Sequence, residues 1–159
     1  IMYEKNYGRV VFTSSTSGIF GSFGQSNYGA AKMGMLGFMN NLAREGASHN
    51  IHTNCLAPGA ATRMTASVPG SKADPDNPAP ERHPGLVSPA VVFLCSEDAP
   101  NGRTIHASGG NFSSSSIFIN EGVRLGVDAS YEELQSRAET VLDLSKAKPR
   151  APRRPNSPP

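Results

Sequence analysis

The chain has 159 residues, 37% hydrophobic and 18% charged, the length of one ordinary domain and too sparsely charged for a disordered chain. Its formal net charge of +2 is uneven: Lys146, Lys148, Arg150, Arg153 and Arg154 lie in the last fourteen residues with no acid among them. The body is therefore mildly acidic, which excludes a broad nucleic-acid-binding surface there.

Residues 9–14 read as a short buried strand, β-branched and aromatic, with Gly8 before it. A small-residue loop follows from Ser15 to Gln25, with glycines at 18, 21 and 24. Residues 26–46 read as a helix, capped by Ser26 or Asn27 and ended by Gly46. Positions 28, 32, 35, 36, 39 and 42 share one face at helical spacing. Ala30, Ala31, Gly34 and Gly37 keep part of the helix thin, so another backbone could approach it.

Residues 51–56 read as a second strand, ended by Ala57-Pro58-Gly59 because proline cannot continue a central ladder. Residues 67–86, rich in Pro, Gly, Ser, Asp and Asn, read as a loop. Ser88-Pro89 opens a helix to about Cys95. Residues 103–107 form a third short strand closed by Gly109-Gly110, and Ser130 caps a last helix over 131–143. The expected division is a folded body over 1–144 and an extended, Pro/Arg-rich tail over 145–159, where prolines alternate with basic residues. Strands alternating with helices predict an α/β fold with a parallel, Rossmann-like sheet and flanking helices, of which three strands are visible.

Cys55 and Cys95 each sit in an apolar run and read as buried thiols in a reducing compartment. The histidines lack the spacing and neighbours of a metal site. No run approaches the ~18 apolar residues of a membrane span. With no secretory h-region at the start and no Ser-Lys-Leu address at the end, the cytoplasm is the expected compartment.

Tyr28 and Lys32 lie four apart on the helix and share a face. That pair alone recurs by chance. Here Ser15 precedes it by thirteen residues, at the end of a buried strand, and a small, glycine-rich loop lets the serine fold back. The next strand ends in Asn54-Cys55-Leu56-Ala57-Pro58-Gly59. In this order the elements resemble the second half of the short-chain dehydrogenase/reductase family, over residues 8–110. The run from Ser15 to Lys32, with Asn101-Gly102-Arg103 before the third strand, is similar to the (3R)-hydroxyacyl-CoA dehydrogenase domain of multifunctional β-oxidation enzymes.

The resemblance implies an NAD(P)-dependent oxidoreductase with Ser15, Tyr28 and Lys32 as catalytic residues. Tyr28 is implied as general acid/base, Lys32 as its electrostatic support and ribose ligand, and Ser15 as the group that orients the substrate oxygen. Tyr28, Lys32, Pro58, Gly59 and Thr62 are implied to contact the cofactor, NAD slightly ahead of NADP. The implied substrate is a small hydroxy or keto compound, possibly an acyl-CoA. The family often has threonine three residues after Pro-Gly-x; this chain has Arg63 there, between Thr62 and Met64.

The family's Thr-Gly-x-x-x-Gly-x-Gly turn, where glycines let backbone approach the pyrophosphate, occurs nowhere in this sequence. The resemblance therefore implies that the cofactor-binding N-terminal half lies upstream of residue 1, so this chain is expected to be a fragment with little activity alone. It further implies a homo-oligomer through helix 26–46; charge, hydropathy and histidine spacing lead us to expect no specific nucleic acid, no membrane and no metal as partner. A non-enzymatic dimerising module is the other class considered. A serine hydrolase is disfavoured, since no G-x-S-x-G elbow surrounds Ser15.

Overall fold

A computed structural model describes residues 1–68 and 70–150, in two units that divide after Ser115. In the first unit the order is α1 (Met2–Lys5), β1 (Gly8–Thr13), α2 (Thr16–Ile19), α3 (Ser26–Glu45), β2 (Ile51–Gly59), α4 (Arg63–Ala66), α5 (Ser88–Cys95), β3 (Thr104–Ser108) and β4 (Asn111–Ser115). The sheet order is β1-β2-β3-β4; the first three strands are parallel and β4 is antiparallel to β3. This is the expected α/β architecture.

Strand residues alternate between faces, and the two cores follow that alternation. Phe12 and Cys55 pack with Leu36 and Met39 of α3. Val11, Leu56, Ile105 and Ala107 pack with Ala90 and Leu94 of α5. The helices therefore cover opposite faces. Both crossovers step the same way across the sheet, so they have opposite hands, a departure from the usual right-handed rule. The long connection from Ala60 to Val87 carries the chain from one face to the other. Its base is closed by Ala61 N–H donating to the Arg82 carbonyl at 2.8 Å.

Four details differ from the sequence reading. First, β2 runs through Pro58 instead of ending before it. Cys55 N–H points to β3, and the Leu56 carbonyl points towards β1, where it accepts from Ser14 N–H. Pro58, two residues on, thus also faces the β1 side, where the ladder has stopped at Leu56, so its missing N–H is not needed. Second, the sheet has four strands, not three. The Ser-rich β4 has little strand propensity, but Gly109 and Gly110, both at positive φ, turn it back onto β3. Third, part of the expected loop 15–25 is the single turn α2, capped by Ser15. Fourth, α3 is preceded by Gln25 with no side-chain cap; Asn27, one of the two residues expected to cap it, lies inside the first turn, where its Oδ1 accepts from Tyr28 N–H at 2.8 Å.

The second unit, from Ser116 onward, holds a two-stranded pair, β5 (Phe118–Ile119) with β6 (Lys148–Pro149), and two short helices, α6 (Tyr131–Ser136) and α7 (Ala138–Leu142). Ser130 and Glu133 form a reciprocal capping box, as the sequence suggests for Ser130. The single helix expected over 131–143 is broken at Arg137. Residues 151–159 of the expected tail lie outside the described residues. Among the described residues no helix is long and apolar enough to cross a membrane.

Candidate active site

The carboxyl ends of β1, β2 and β3 bring together Ser14-Ser15, Pro58-Gly59 and Ser108. In open α/β sheets this is the edge that binds ligands. Tyr28 and Lys32 are on the first two turns of α3, which packs beside β1.

Two hydrogen bonds lock α3 to the end of β1. Ser14 Oγ donates to the Lys32 carbonyl at 2.8 Å. Lys32 Nζ donates in return to the Thr13 carbonyl at 3.0 Å. The ammonium lies 5.6 Å from the centre of the Tyr28 ring. Tyr28 itself is exposed. Lys32 uses one of its three N–H groups on Thr13, leaving two for another partner.

Ser15 caps α2, its Oγ accepting from Ser17 N–H at 3.2 Å. The turn α2 lies flat on α3 because two glycines allow it. A Cβ on Gly18 would come within 2.8 Å of Met33 N, and one on Gly29 within 3.1 Å of the Ser17 carbonyl. Ser15 and Tyr28 are therefore carried on two elements in backbone contact. The thin surface read from the sequence is not the one used here: an added Cβ at Gly34 or Gly37 meets nothing.

At the β2 end, a Cβ on Gly59 would meet Ser108 Oγ at 2.6 Å. Only glycine lets β2 and β3 pair there, and it leaves bare backbone at the strand end. Thr62 caps α4 in a reciprocal box with Thr65. Arg63, which stands where the family's threonine is common, is the exposed first residue of α4.

The residues fit one end of a nicotinamide dinucleotide. Lys32 has donors to spare for ribose hydroxyls, and Gly59 carries no side chain of its own at the end of β2. The glycine-rich phosphate turn is not among this chain's residues.

Ser14 was missed in the sequence reading. It is buried, whereas Ser15 is half-buried; strand alternation could have separated an inward Ser14 from an outward Ser15. Each histidine has a structural contact. His49 packs on the Tyr3 ring, His52 Nδ1 lies 2.8 Å from the Ala99 carbonyl, and His83 Nδ1 accepts from Gly85 N–H. His106 Nε2 lies 2.9 Å from Ser115 Oγ. Cys55 is buried as expected, and burial pushes its thiol up to about 11. Cys95 is exposed, contrary to expectation: it follows the inward Leu94 and points away from the core.

Residues 1–73 match the family model for short chain dehydrogenase. A short-chain type dehydrogenase/reductase of Mycobacterium tuberculosis is 42% identical over 146 residues, covering 91% of this chain and 49% of that protein. An acetoacetyl-CoA reductase of Shinella zoogloeoides is 40% identical over 119 residues, 70% of this chain and 49% of that protein. The solved structure of full-length peroxisomal multifunctional enzyme type 2 from Drosophila melanogaster superposes with a TM-score of 0.75 at 34% identity, over 94% of this chain and 27% of that one. The chain thus spans about half the length, or less, of the relatives it matches. By sequence and by fold, it belongs to the short-chain dehydrogenase/reductase family.

Proposed function

We propose that this chain supplies the catalytic and substrate half of an NAD(P)-dependent oxidoreductase that interconverts an alcohol and a ketone. The observation that carries the reading is the reciprocal lock between β1 and α3, which holds the Lys32 ammonium beside the Tyr28 ring.

In the oxidising direction, Ser15 Oγ hydrogen-bonds the substrate oxygen and fixes its orientation. Tyr28 takes the hydroxyl proton as the carbonyl forms, and returns a proton to that oxygen in the reverse direction. Lys32 places a positive charge 5.6 Å from the centre of the Tyr28 ring, opposite in sign to the charge that passes through the Tyr28 oxygen during proton transfer. A nicotinamide dinucleotide, when bound, accepts or supplies the hydride. Lys32 and Tyr28 would hold its ribose, and Pro58, Gly59 and Thr62 its carboxamide end. NAD is the preferred form in this reading.

The proposed substrate is a 3-hydroxyacyl-CoA or its 3-keto counterpart. The Ser15–Lys32 segment supports it by its likeness to hydroxyacyl-CoA dehydrogenase domains, as does the similarity to a protein named acetoacetyl-CoA reductase. A second copy of the chain would pack on the exposed Ala30, Ala31, Gly34 and Gly37 surface of α3. The proposed compartment is the cytoplasm; the name peroxisomal belongs to a relative. The test is the protein as its source makes it, given a (3R)-3-hydroxyacyl-CoA with NAD or NADP. Appearance of reduced nicotinamide supports the reading, and its absence with both cofactors contradicts it.

A further inference from the structure

We propose that His106 is a positioning residue for Ser15, acting through Phe20; this rests on the oxidoreductase reading above. Ser15 and Phe20 are the two ends of α2, a single helical turn. One turn has no cooperative length to hold itself straight; it is placed by what it packs on, α3 at Gly18 and Gly29, the core through Ile19, and the sheet through Phe20. Ser15 Oγ is tied to Ser17 N–H, within the turn itself. Phe20 reaches outward to the sheet: its ring stacks on His106, centroids 5.7 Å apart and planes 15° from parallel.

His106 is a firm anchor. It lies inside β3, beside Ala57 of β2 and Ser113 of β4, on the face that α3 covers. Its Nε2 is held 2.9 Å from Ser115 Oγ, which fixes the ring plane. The segment after Phe20 gives the turn little support. Gly21 and Gly24 sit at positive φ with open space beside them, and Phe23 is fully exposed. Beside Ile19, which packs into the core, the stack on His106 ties the α2 end of this segment to the sheet before the chain enters α3 and reaches Tyr28. Phe20 remains 71% exposed, so little else covers it. Among the described residues His106 has no hydrogen bond to Ser15 or Tyr28; its effect on the reaction passes through the ring of Phe20.

The experiment is a double-mutant cycle in the protein as its source makes it, with kcat, KM and nicotinamide affinity measured on a 3-hydroxyacyl-CoA. His106→Ala is expected to lower kcat about tenfold, the scale of a small misplacement of an orienting group, while nicotinamide affinity is unchanged. His106→Phe keeps the stack without the hydrogen bond and should recover most of that loss; His106→Gln should not. In a Ser15→Ala background, His106→Ala should have no further effect, because the group it positions is gone. An equal loss in both backgrounds would mean a general structural role and overturn the proposal. Unchanged kcat in His106→Ala, alongside an inactive Tyr28→Phe, would overturn it and leave the oxidoreductase reading intact. An active Tyr28→Phe would sink that reading instead. Should His106→Ala fail to fold, Phe20→Leu on the strand-free side of the stack carries the same cycle with the same outcomes.

Discussion

Lys32 Nζ donates to the Thr13 carbonyl at 3.0 Å, so the cation one turn beyond Tyr28 is tethered to the end of the first strand. A lysine on a free helix surface samples many rotamers. This one is held where the sheet edge and the helix meet, and Ser14 secures the same junction from the other side.

Lys32→Ala removes that tether and the two remaining donors. Nicotinamide affinity and kcat should each fall by about tenfold or more, the scale of losing hydrogen bonds from a charged donor. Titration by fluorescence or calorimetry measures the affinity. An unchanged value would remove Lys32 from the ribose.

Ser14→Ala should act on stability. Its buried hydroxyl bonds the Lys32 carbonyl at 2.8 Å, and losing it should cost about 1 kcal/mol. The denaturant midpoint should fall. A variant of native stability would show that the lock does not depend on this bond.

Gly59→Ala should cost about 1–3 kcal/mol, as an overpacked site does, because its Cβ would meet Ser108 Oγ at 2.6 Å and Ser108 Cβ at 2.9 Å. Ser108→Gly in the same protein removes both clashing atoms and should restore much of the loss. Absence of rescue in thermal melts would place the strain elsewhere.

The two thiols should behave differently. Exposed Cys95 should react with iodoacetamide at neutral pH, and buried Cys55 only after unfolding. The Cys55 thiol is raised from an ordinary 9.0 to about 11. The folded state then holds this proton more tightly than the unfolded state. The associated stability is fully present below pH 9 and is lost as pH rises through about 11. Denaturation against pH should show that decline in the native protein and a weaker one in Cys55→Ala.

The parts legible in the sequence were those with local signals. Helix α3 announced itself through the spacing of Leu36, Met39 and their neighbours, and Tyr28 and Lys32 followed from position on it. β4 lacked such a signal in its serines, although Gly109-Gly110 marked a hairpin that went unread. The extension of β2 through Pro58 depended on where β1 stops, which is a tertiary fact. The same holds for the Phe20–His106 stack, whose residues are far apart in sequence and carry no shared pattern. Spacing showed which residues share a helix face; only the fold showed that Ser15 caps the next turn.

If Tyr28 moves the proton, Tyr28→Phe removes the hydroxyl that does so. Turnover of a 3-hydroxyacyl-CoA should be measured in the protein as its source makes it, with nicotinamide affinity determined in parallel. The expected result is a fall in kcat of at least about a hundredfold, the scale of a lost general acid/base, with affinity nearly unchanged. Turnover close to that of the unaltered protein would contradict it.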